Sequence, residues 1–89
     1  MKQYKLVKFE KSTKPHKKYD ALIYNKVTDK TARVSFGDSR YESYHDLTGI
    51  NAFKVHGDKQ RRRLYRERHE KDYKYGYFSP GYFSWHYLW

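Results

Sequence analysis

Cysteine is absent from this chain, and large aliphatic side chains are scarce. Without cysteine there is no disulfide scaffold, no thiolate zinc site and no thiol nucleophile, which fits a reducing compartment. Leu, Ile, Val and Phe together make up 16 of the 89 residues, and the formal net charge is +10. Such a composition is typical of disordered chains, so a folded state needs another source of buried apolar area.

Long hydrophobic runs are also missing. The N-terminal stretch MKQYKLVKFEKS contains no apolar run of the length that a signal peptide needs, and no other segment is long and apolar enough to span a bilayer. We therefore expect a protein that is not secreted and does not insert into a membrane. Its expected place is the cytoplasm or nucleus, or a particle assembled there.

Aromatic side chains supply what the aliphatic ones do not. The chain has 11 Tyr, 5 Phe and 2 Trp, or 20% of its residues, and each buried aromatic ring removes ~150–250 Å² from water. A chain of this length has room for one domain. We therefore predict a single folded domain over residues 1–89, with an aromatic core that is rich in tyrosine hydroxyls.

The positive charge is concentrated in two blocks. Residues 1–18 contain seven Lys and one Glu, and residues 59–71 contain seven Lys or Arg and two Glu. Two separate basic blocks indicate an anionic partner that is contacted at two places. The alternative is that the charge only keeps an aromatic protein soluble and monomeric.

Alternating patterns in the first part of the chain predict β-strands. We predict three strands, at residues 3–10, 19–26 and 31–37. The segment KSTKPHKK, residues 11–18, is predicted to be a basic loop around Pro15. The strands form an antiparallel meander over residues 1–37, and a fourth strand from residues 41–55 stays open as an alternative.

Capping signals predict two helices after the meander. Residues 38–57 are predicted to be an ordered loop, and Asp58 then caps a basic surface helix over residues 58–71. Ser79, with Pro80 behind it, caps an aromatic C-terminal helix over residues 79–89, and residues 71–78 between the helices are irregular and aromatic. The fold class is therefore α+β, with the C-terminal helix packed on the sheet.

Basic side chains from both blocks are the candidates for contact with nucleic acid or another anionic partner. They are Lys14, Lys17, Lys18, Arg61, Arg62, Arg63, Arg66 and Arg68. On a helix, Arg62 and Arg66 share a side with His69 and are spaced to follow a phosphate backbone. A pair between Arg63 and Glu67 reduces the free charge. No helix-turn-helix, zinc-finger or RNA-recognition signature accompanies these residues.

The C-terminal segment holds the candidate core or interface anchors. They are Tyr82, Phe83, Trp85, Tyr87 and Trp89. On a regular α-helix, residues 82, 85 and 89 lie along one side, residues 83 and 87 along another, and Leu88 lies between them. One interpretation is that the helix only completes the core of the sheet. The other is that one side packs on the sheet while the second docks on a protein, because Trp and Tyr are enriched at binding hot spots.

No arrangement of residues predicts catalysis, a metal site or a cofactor. Gly37-Asp38-Ser39 matches the nucleophile block of certain lipolytic hydrolases over three residues, but the chain lacks the parallel sheet and the Asp-x-x-His of those enzymes. The five histidines show no metal-ligand spacing, and no glycine-rich phosphate loop is present. We therefore expect a non-enzymatic protein without a metal or cofactor.

Three blocks of the sequence resemble a family of short basic proteins encoded by large double-stranded DNA viruses and some phages. The blocks are FGDSRYESY at residues 36–44, RRRLYRERH at residues 61–69 and SPGYFSWHYLW at residues 79–89. The family pattern is F-G-x-x-x-Y-x-x-Y, then R-R-x-x-Y-x-x-R-H, then S-x-G-[FY]-[FW]-S-x-x-x-L-W. This resemblance implies a viral origin and provides no catalytic residue.

Two functional hypotheses follow. The first is a non-enzymatic structural protein of the virion, such as a minor capsid protein, which contacts other virion proteins through aromatic anchors and basic patches. The second is a sequence-nonspecific DNA- or RNA-binding protein of a large DNA virus. Either would act in the virion or in the cytoplasm or nucleus of the infected cell.

Overall fold

A three-stranded antiparallel sheet, a basic helix and an aromatic C-terminal helix build the molecule. The computed structural model describes residues 3–71 and 78–89. The elements are β1 (Tyr4–Lys11), β2 (Lys17–Asn25), β3 (Lys30–Asp38), α1 (Lys59–His69), α2 (Pro80–Phe83) and a π-helical segment (Ser84–Leu88). The sheet order is β1-β2-β3. This architecture confirms the predicted α+β fold class. The predicted irregular stretch at residues 71–78 falls mostly outside the described residues.

A β-bulge in β1 explains why neither face of that strand looks apolar in the sequence. Leu6 pairs with Ile23 and Phe9 pairs with Ala21, and the register shifts between Leu6 and Lys8. The extra residue, Val7, is exposed. Because a bulge inserts one unpaired residue, Leu6 and Phe9 reach the same face although they are three positions apart.

The predicted basic loop at residues 11–18 is wrong at both ends. Lys11 belongs to β1, and β2 begins at Lys17. Cross-strand pairing extends the sheet, because Lys17 lies opposite Asp38 on β3, and the amide of Ser12 donates to the carbonyl of Lys18. The connection is therefore reduced to residues 12–16.

The core lies between one face of the sheet and the C-terminal helix. It consists of Tyr19, Ala21, Ile23, Phe36, Phe83 and Leu88. Phe9 adds edge-to-face contacts, with ring centroids 4.7 Å from Tyr87 and 5.9 Å from Phe83. These rings supply the apolar area that the scarce aliphatic residues do not.

The last turn of the chain is wound as a π-helix. The amide of Trp89 donates to the carbonyl of Ser84 at 3.1 Å, which is an i→i+5 bond. This winding places Phe83 and Leu88, five residues apart, on the same buried side. The prediction from regular α-helical spacing, which put Leu88 between two stripes, is therefore corrected.

The loop before α1 follows the C-terminal helix instead of joining the sheet. The amides of His45 and Leu47 donate to the carbonyls of Leu88 and Tyr87, at 3.1 and 2.9 Å. Ser43 and Val55 form one isolated parallel bridge. The alternative of a fourth strand from residues 41–55 is therefore wrong, because the backbone of this loop forms its hydrogen bonds with the C-terminal helix and within the loop itself.

The second face of the sheet carries an ionic ladder across the strands. Arg33 contacts Glu10 at 2.7 Å and Asp20 at 3.3 Å, and Lys8 contacts Glu10 at 3.2 Å. Burial alone would raise the pKa of Asp20, but hydrogen bonds, chiefly from the hydroxyl of Ser35, hold it below its ordinary value. This face is therefore mainly polar, with Leu22 buried between the partners Lys8 and Arg33, whereas the aromatic packing lies on the other face.

Candidate functional site

Helix α1 lies on the C-terminal segment through one stripe of half-buried side chains. None of its residues is fully buried, and the half-buried ones are Arg62, Tyr65, Arg66 and His69. Asp58 caps the helix by accepting from the amides of Gln60 and Arg61. The ring of Tyr65 stacks on the indole of Trp89, with centroids 4.3 Å apart. The helix is therefore held at the surface, as its sequence predicts.

Arg62 and Arg66, which the sequence predicts to follow a phosphate backbone, are turned toward the protein. The Nε of Arg62 donates to the backbone oxygen of Trp89 at 2.6 Å, and an Nη of Arg66 reaches the same oxygen at 3.3 Å. The guanidinium of Arg62 lies 4.7 Å from the ring centre of Tyr44, and that of Arg66 lies 4.6 Å from Trp85. These two side chains fix α1 to the C-terminal segment.

The other arginines of α1 face outward. Arg61, Arg63 and Arg68 are exposed. Arg63 lies 3.8 Å from Glu67, which is the intrahelical pair that the sequence predicts. Since Arg61 and Arg68 are seven residues apart, they lie two turns apart on one side of the helix. This side borders the groove described next.

A groove of about 830 Å³ opens between α1, residues 37–43 and the start of the C-terminal helix. Four basic side chains and two carboxylates line it: Lys17, Arg40, Arg61, Arg68, Asp38 and Glu42. Ser43, His56 and Trp89 also belong to its lining. The groove therefore has an excess of positive charge, and an aromatic ring lies within it.

The two carboxylates of the groove are occupied by neighbouring cations. Asp38 accepts from the Nε and an Nη of Arg40, at 3.0 and 2.9 Å, and this bidentate contact lowers the pKa of Asp38 to about 2. Glu42 lies 4.0 Å from Arg61 and 3.9 Å from Lys54. The close pair neutralises Arg40, whereas the long contact leaves most of the charge of Arg61 to a ligand.

Tyr41 is a ring that the sequence did not identify as a contact for a ligand. It lines the groove, it is 68% exposed, and the guanidinium of Arg40 lies over the ring, 6.0 Å from its centre. Tyr44, three residues later, is half buried beneath Arg62. Both tyrosines fall in the same pattern of spacing, so no signal in the sequence separates the exposed ring from the packed one.

Lys18, predicted to contact an anionic partner, is buried. It is 2% exposed, and its Nζ donates to the Oγ of Ser43 at 2.6 Å. Burial lowers the pKa of Lys18, against the opposing effect of nearby carboxylates, chiefly Asp46. The prediction is corrected because Lys18 belongs to β2 and packs against the loop. Lys14 and Lys17 are exposed, as a contact with a partner requires.

The predicted anchors of the C-terminal segment are mainly used inside the molecule. Phe83 is fully buried, and Tyr82, Trp85, Tyr87 and Trp89 are half buried. Tyr87 packs against the sheet at Phe9, while Trp85 and Trp89 pack against α1. The segment therefore serves as the common support of the sheet and α1, and its use as a protein interface stays a prediction.

The Gly-Asp-Ser sequence and the acidic and imidazole side chains are the features that bear on catalysis and metal binding. Asp38 of the Gly-Asp-Ser sequence is the last residue of β3, and Arg40 in the following turn binds its carboxylate. Within residues 3–71 and 78–89, no three His, Asp or Glu side chains come close enough together to hold a metal ion. No helix in this described part is long and apolar enough to cross a membrane.

Comparisons of the chain with protein-family models, with curated proteins and with solved structures found no match. The functional interpretation therefore depends on the groove and its charges.

Proposed function

We propose that this protein is a non-enzymatic, sequence-nonspecific nucleic-acid-binding protein. The observation that carries the proposal is the groove, which Lys17, Arg61 and Arg68 line together with the exposed ring of Tyr41. Lysine and arginine contact phosphate oxygens without reading the sequence of bases. Aromatic rings beside a cationic track are the second component of sequence-tolerant binding sites.

The division of the arginines on α1 supports the same proposal. Arg62 and Arg66 hold the helix in place, and the outward-facing Arg61 and Arg68 project from a fixed support. Preorganised donors lose less conformational entropy when they bind a phosphate. The internal contacts of these two arginines are long: Arg61 lies 4.0 Å from Glu42, and the Nε of Arg68 donates to the carbonyl of Leu64 at 3.4 Å. The position of α1 therefore favours phosphate binding by Arg61 and Arg68.

The test is fluorescence anisotropy with labelled oligonucleotides at 50 and 200 mM salt. Three phosphate contacts with a single strand give a log–log salt slope of about −2, which is a loss of about twentyfold in affinity over this range. The variant Arg61→Glu/Arg68→Glu should reduce the slope by about 1.4, since each contact contributes about 0.7.

The matched control carries the same change of charge at the far end of the sheet. Lys26 and Lys30 are exposed, and they flank the turn between β2 and β3. The variant Lys26→Glu/Lys30→Glu should keep the wild-type salt slope. Equal slopes in the two variants, or no binding by the wild type at 50 mM salt, would reject the proposal.

A structural role in the virion is the second candidate. Exposed apolar side chains in the loop along the C-terminal helix, Leu47, Ile50 and Val55, favour it, because they offer contact area to a protein. The partners would be other virion proteins. The test is detection of the chain in purified particles. Incorporation should be lost in Leu47→Ser/Ile50→Ser and kept in Val27→Ser, which changes an exposed valine of the turn.

A further inference from the structure

Tyr41 differs from the other aromatic residues of this protein in its exposure. Among the Tyr, Phe and Trp side chains in the described part of the chain, it is the one that is exposed. The rest are buried or half buried in a molecule that depends on aromatic rings for its core. Because the ring of Tyr41 stays in water in the wall of a cationic groove, it lacks the stabilisation by burial that the other aromatic rings have.

One side of the Tyr41 ring is covered by a neighbouring side chain. The guanidinium of Arg40 lies over the ring, and Asp38 holds that guanidinium through two hydrogen bonds. The high exposure of Tyr41 leaves the opposite side of the ring accessible. A flat ligand can stack there with little rearrangement, because the Asp38–Arg40 pair already orders the support.

The size of the groove favours a single unpaired strand over a duplex. Its volume of about 830 Å³ falls within the ~300–1,000 Å³ that small-molecule and cofactor sites occupy. In a duplex the faces of the bases are covered by their neighbours, so a ring in a groove cannot stack on them unless a base is displaced. An unpaired base presents its face without that cost.

We propose that the groove binds single-stranded nucleic acid, with one unpaired base stacked on Tyr41 and phosphates at Arg61 and Arg68. This inference rests on the proposed function and adds the preferred form of the nucleic acid. Arg61 and Arg68 lie ~10 Å apart along the axis of α1, which allows them to contact phosphates of different nucleotides. The base is held by its face, so the four bases are accepted alike.

The experiment compares a single-stranded oligonucleotide with a hairpin duplex of the same length, at one salt concentration. A 2-aminopurine base in each reports stacking through quenching of its fluorescence. The variants are Tyr41→Ala and Tyr41→Phe. The second keeps the ring and serves as the matched control, and because Tyr41 is exposed neither change removes core packing.

We expect the wild type to bind the single strand more tightly than the hairpin and to quench 2-aminopurine in the single strand. Tyr41→Ala should lose about tenfold in affinity for the single strand, which is the size of one base–aromatic stack. It should bind the hairpin as the wild type does, and Tyr41→Phe should behave as the wild type with both.

Equal affinity for the two oligonucleotides, with Tyr41→Ala unchanged, would overturn this inference and leave the proposed function standing. An equal loss by Tyr41→Ala on both oligonucleotides would also overturn it. The absence of binding to either oligonucleotide would reject the proposed function itself. The two failures are therefore distinguishable in one set of measurements.

Discussion

The ring of Tyr65 lies almost parallel to the indole of Trp89, with an angle of 5° between the planes and 4.3 Å between the centroids. Offset-stacked rings of this kind contribute ~0.5–1.5 kcal/mol beyond the area that they bury. The stack joins the middle of α1 to residue 89, beside the backbone oxygen that Arg62 and Arg66 contact. Basic and aromatic residues, which the sequence separates into two segments, thus form one contact.

Arg62→Ala should reduce the free energy of unfolding by ~1–3 kcal/mol. The change removes the 2.6 Å hydrogen bond to Trp89 and the contact of the guanidinium with Tyr44. Urea denaturation checks the prediction. Arg63→Ala is the control, because Arg63 is exposed and has a 3.8 Å ion pair with Glu67, so its effect should stay within about 0.5 kcal/mol. Equal effects of the two variants would contradict the assigned role of Arg62.

Lys18→Met should leave the stability at pH 7 unchanged or raise it by up to ~1 kcal/mol. The buried ammonium of Lys18 is desolvated, and its chief hydrogen bond is to Ser43, whereas a methionine of similar length fills the space without a charge. Lys17→Met, one residue earlier and exposed, should change stability by less than about 0.5 kcal/mol.

The effect of Lys18→Met on the free energy of unfolding should also depend on pH. Burial lowers the pKa of Lys18 in the folded state, so the unfolded chain binds more protons as pH rises toward ~10.4. Stability of the wild type then rises with pH in this range. The advantage of Lys18→Met should therefore shrink from pH 7 to pH 10. A strongly destabilised Lys18→Met would show instead that the hydrogen bond to Ser43 outweighs the desolvation.

Two imidazoles with buried nitrogen atoms are expected to make the fold sensitive to mild acid. The Nε2 atoms of His45 and His56 are buried and have no hydrogen-bond partner in the described part of the chain. Burial lowers the pKa of both residues, and it is reinforced at His45 by Arg62 and Arg66 and at His56 by Arg61. Below the unfolded pKa of ~6.5 the unfolded chain binds more protons, so stability should fall as pH drops from 7 to 5.

Urea midpoints measured between pH 5 and pH 7 test this dependence. The carboxylates with lowered pKa values, Glu10, Asp20, Asp38 and Asp46, stay ionised across this window. The imidazoles therefore dominate, and they include His86, whose pKa is also lowered by burial and by Arg66. The variant His45→Gln/His56→Gln should have a smaller slope of stability against pH than the wild type. An unchanged slope would show that other groups carry the sensitivity.

Gly37→Ala should destabilise the fold more than Gly49→Ala. Both glycines have positive φ, +79° and +86°, so both substitutions carry a conformational cost of ~1 kcal/mol or more. A Cβ at Gly37 would also lie 2.8 Å from the Cδ1 of Leu88, whereas one at Gly49 would have no atom within 4 Å. Thermal unfolding of the two variants measures the difference, and equal midpoints would mean that Leu88 moves away without cost.

The parts of the fold that follow from local chemistry were predictable from the sequence. Alternation in TARVSFG gives β3, and the caps Asp58 and Ser79 fix where two helices begin. The bulge at Val7 and the π-helical winding after Phe83 were not predictable, because they depend on which residues the opposite surface accepts. Tertiary packing decides such features, and local propensity does not.

The sequence predicted correctly that the candidate site contains arginines of α1, but it predicted the wrong pair of arginines for phosphate contact. Helical spacing correctly separates Arg61 and Arg68 from Arg62 and Arg66, but it does not say which side meets the protein. The sequence predicted that Arg62 and Arg66 contact phosphate, whereas in the structure both donate to the backbone oxygen of Trp89. Placing α1 needs the path of the C-terminal segment, which is a long-range property of the fold.

The atom that accepts hydrogen bonds from Arg62 and Arg66 is a backbone oxygen, so a substitution of the side chain of residue 89 does not remove it. A carboxylate partner is lost by a single substitution, whereas the oxygen of residue 89 is present whatever side chain stands there. The contacts of Arg62 and Arg66 therefore depend on where the backbone of residue 89 lies, and not on which side chain that residue carries. Removing one residue between Ser84 and Leu88 should displace the oxygen and break its contacts with Arg62 and Arg66, whereas replacing the exposed His86 should leave the oxygen in place.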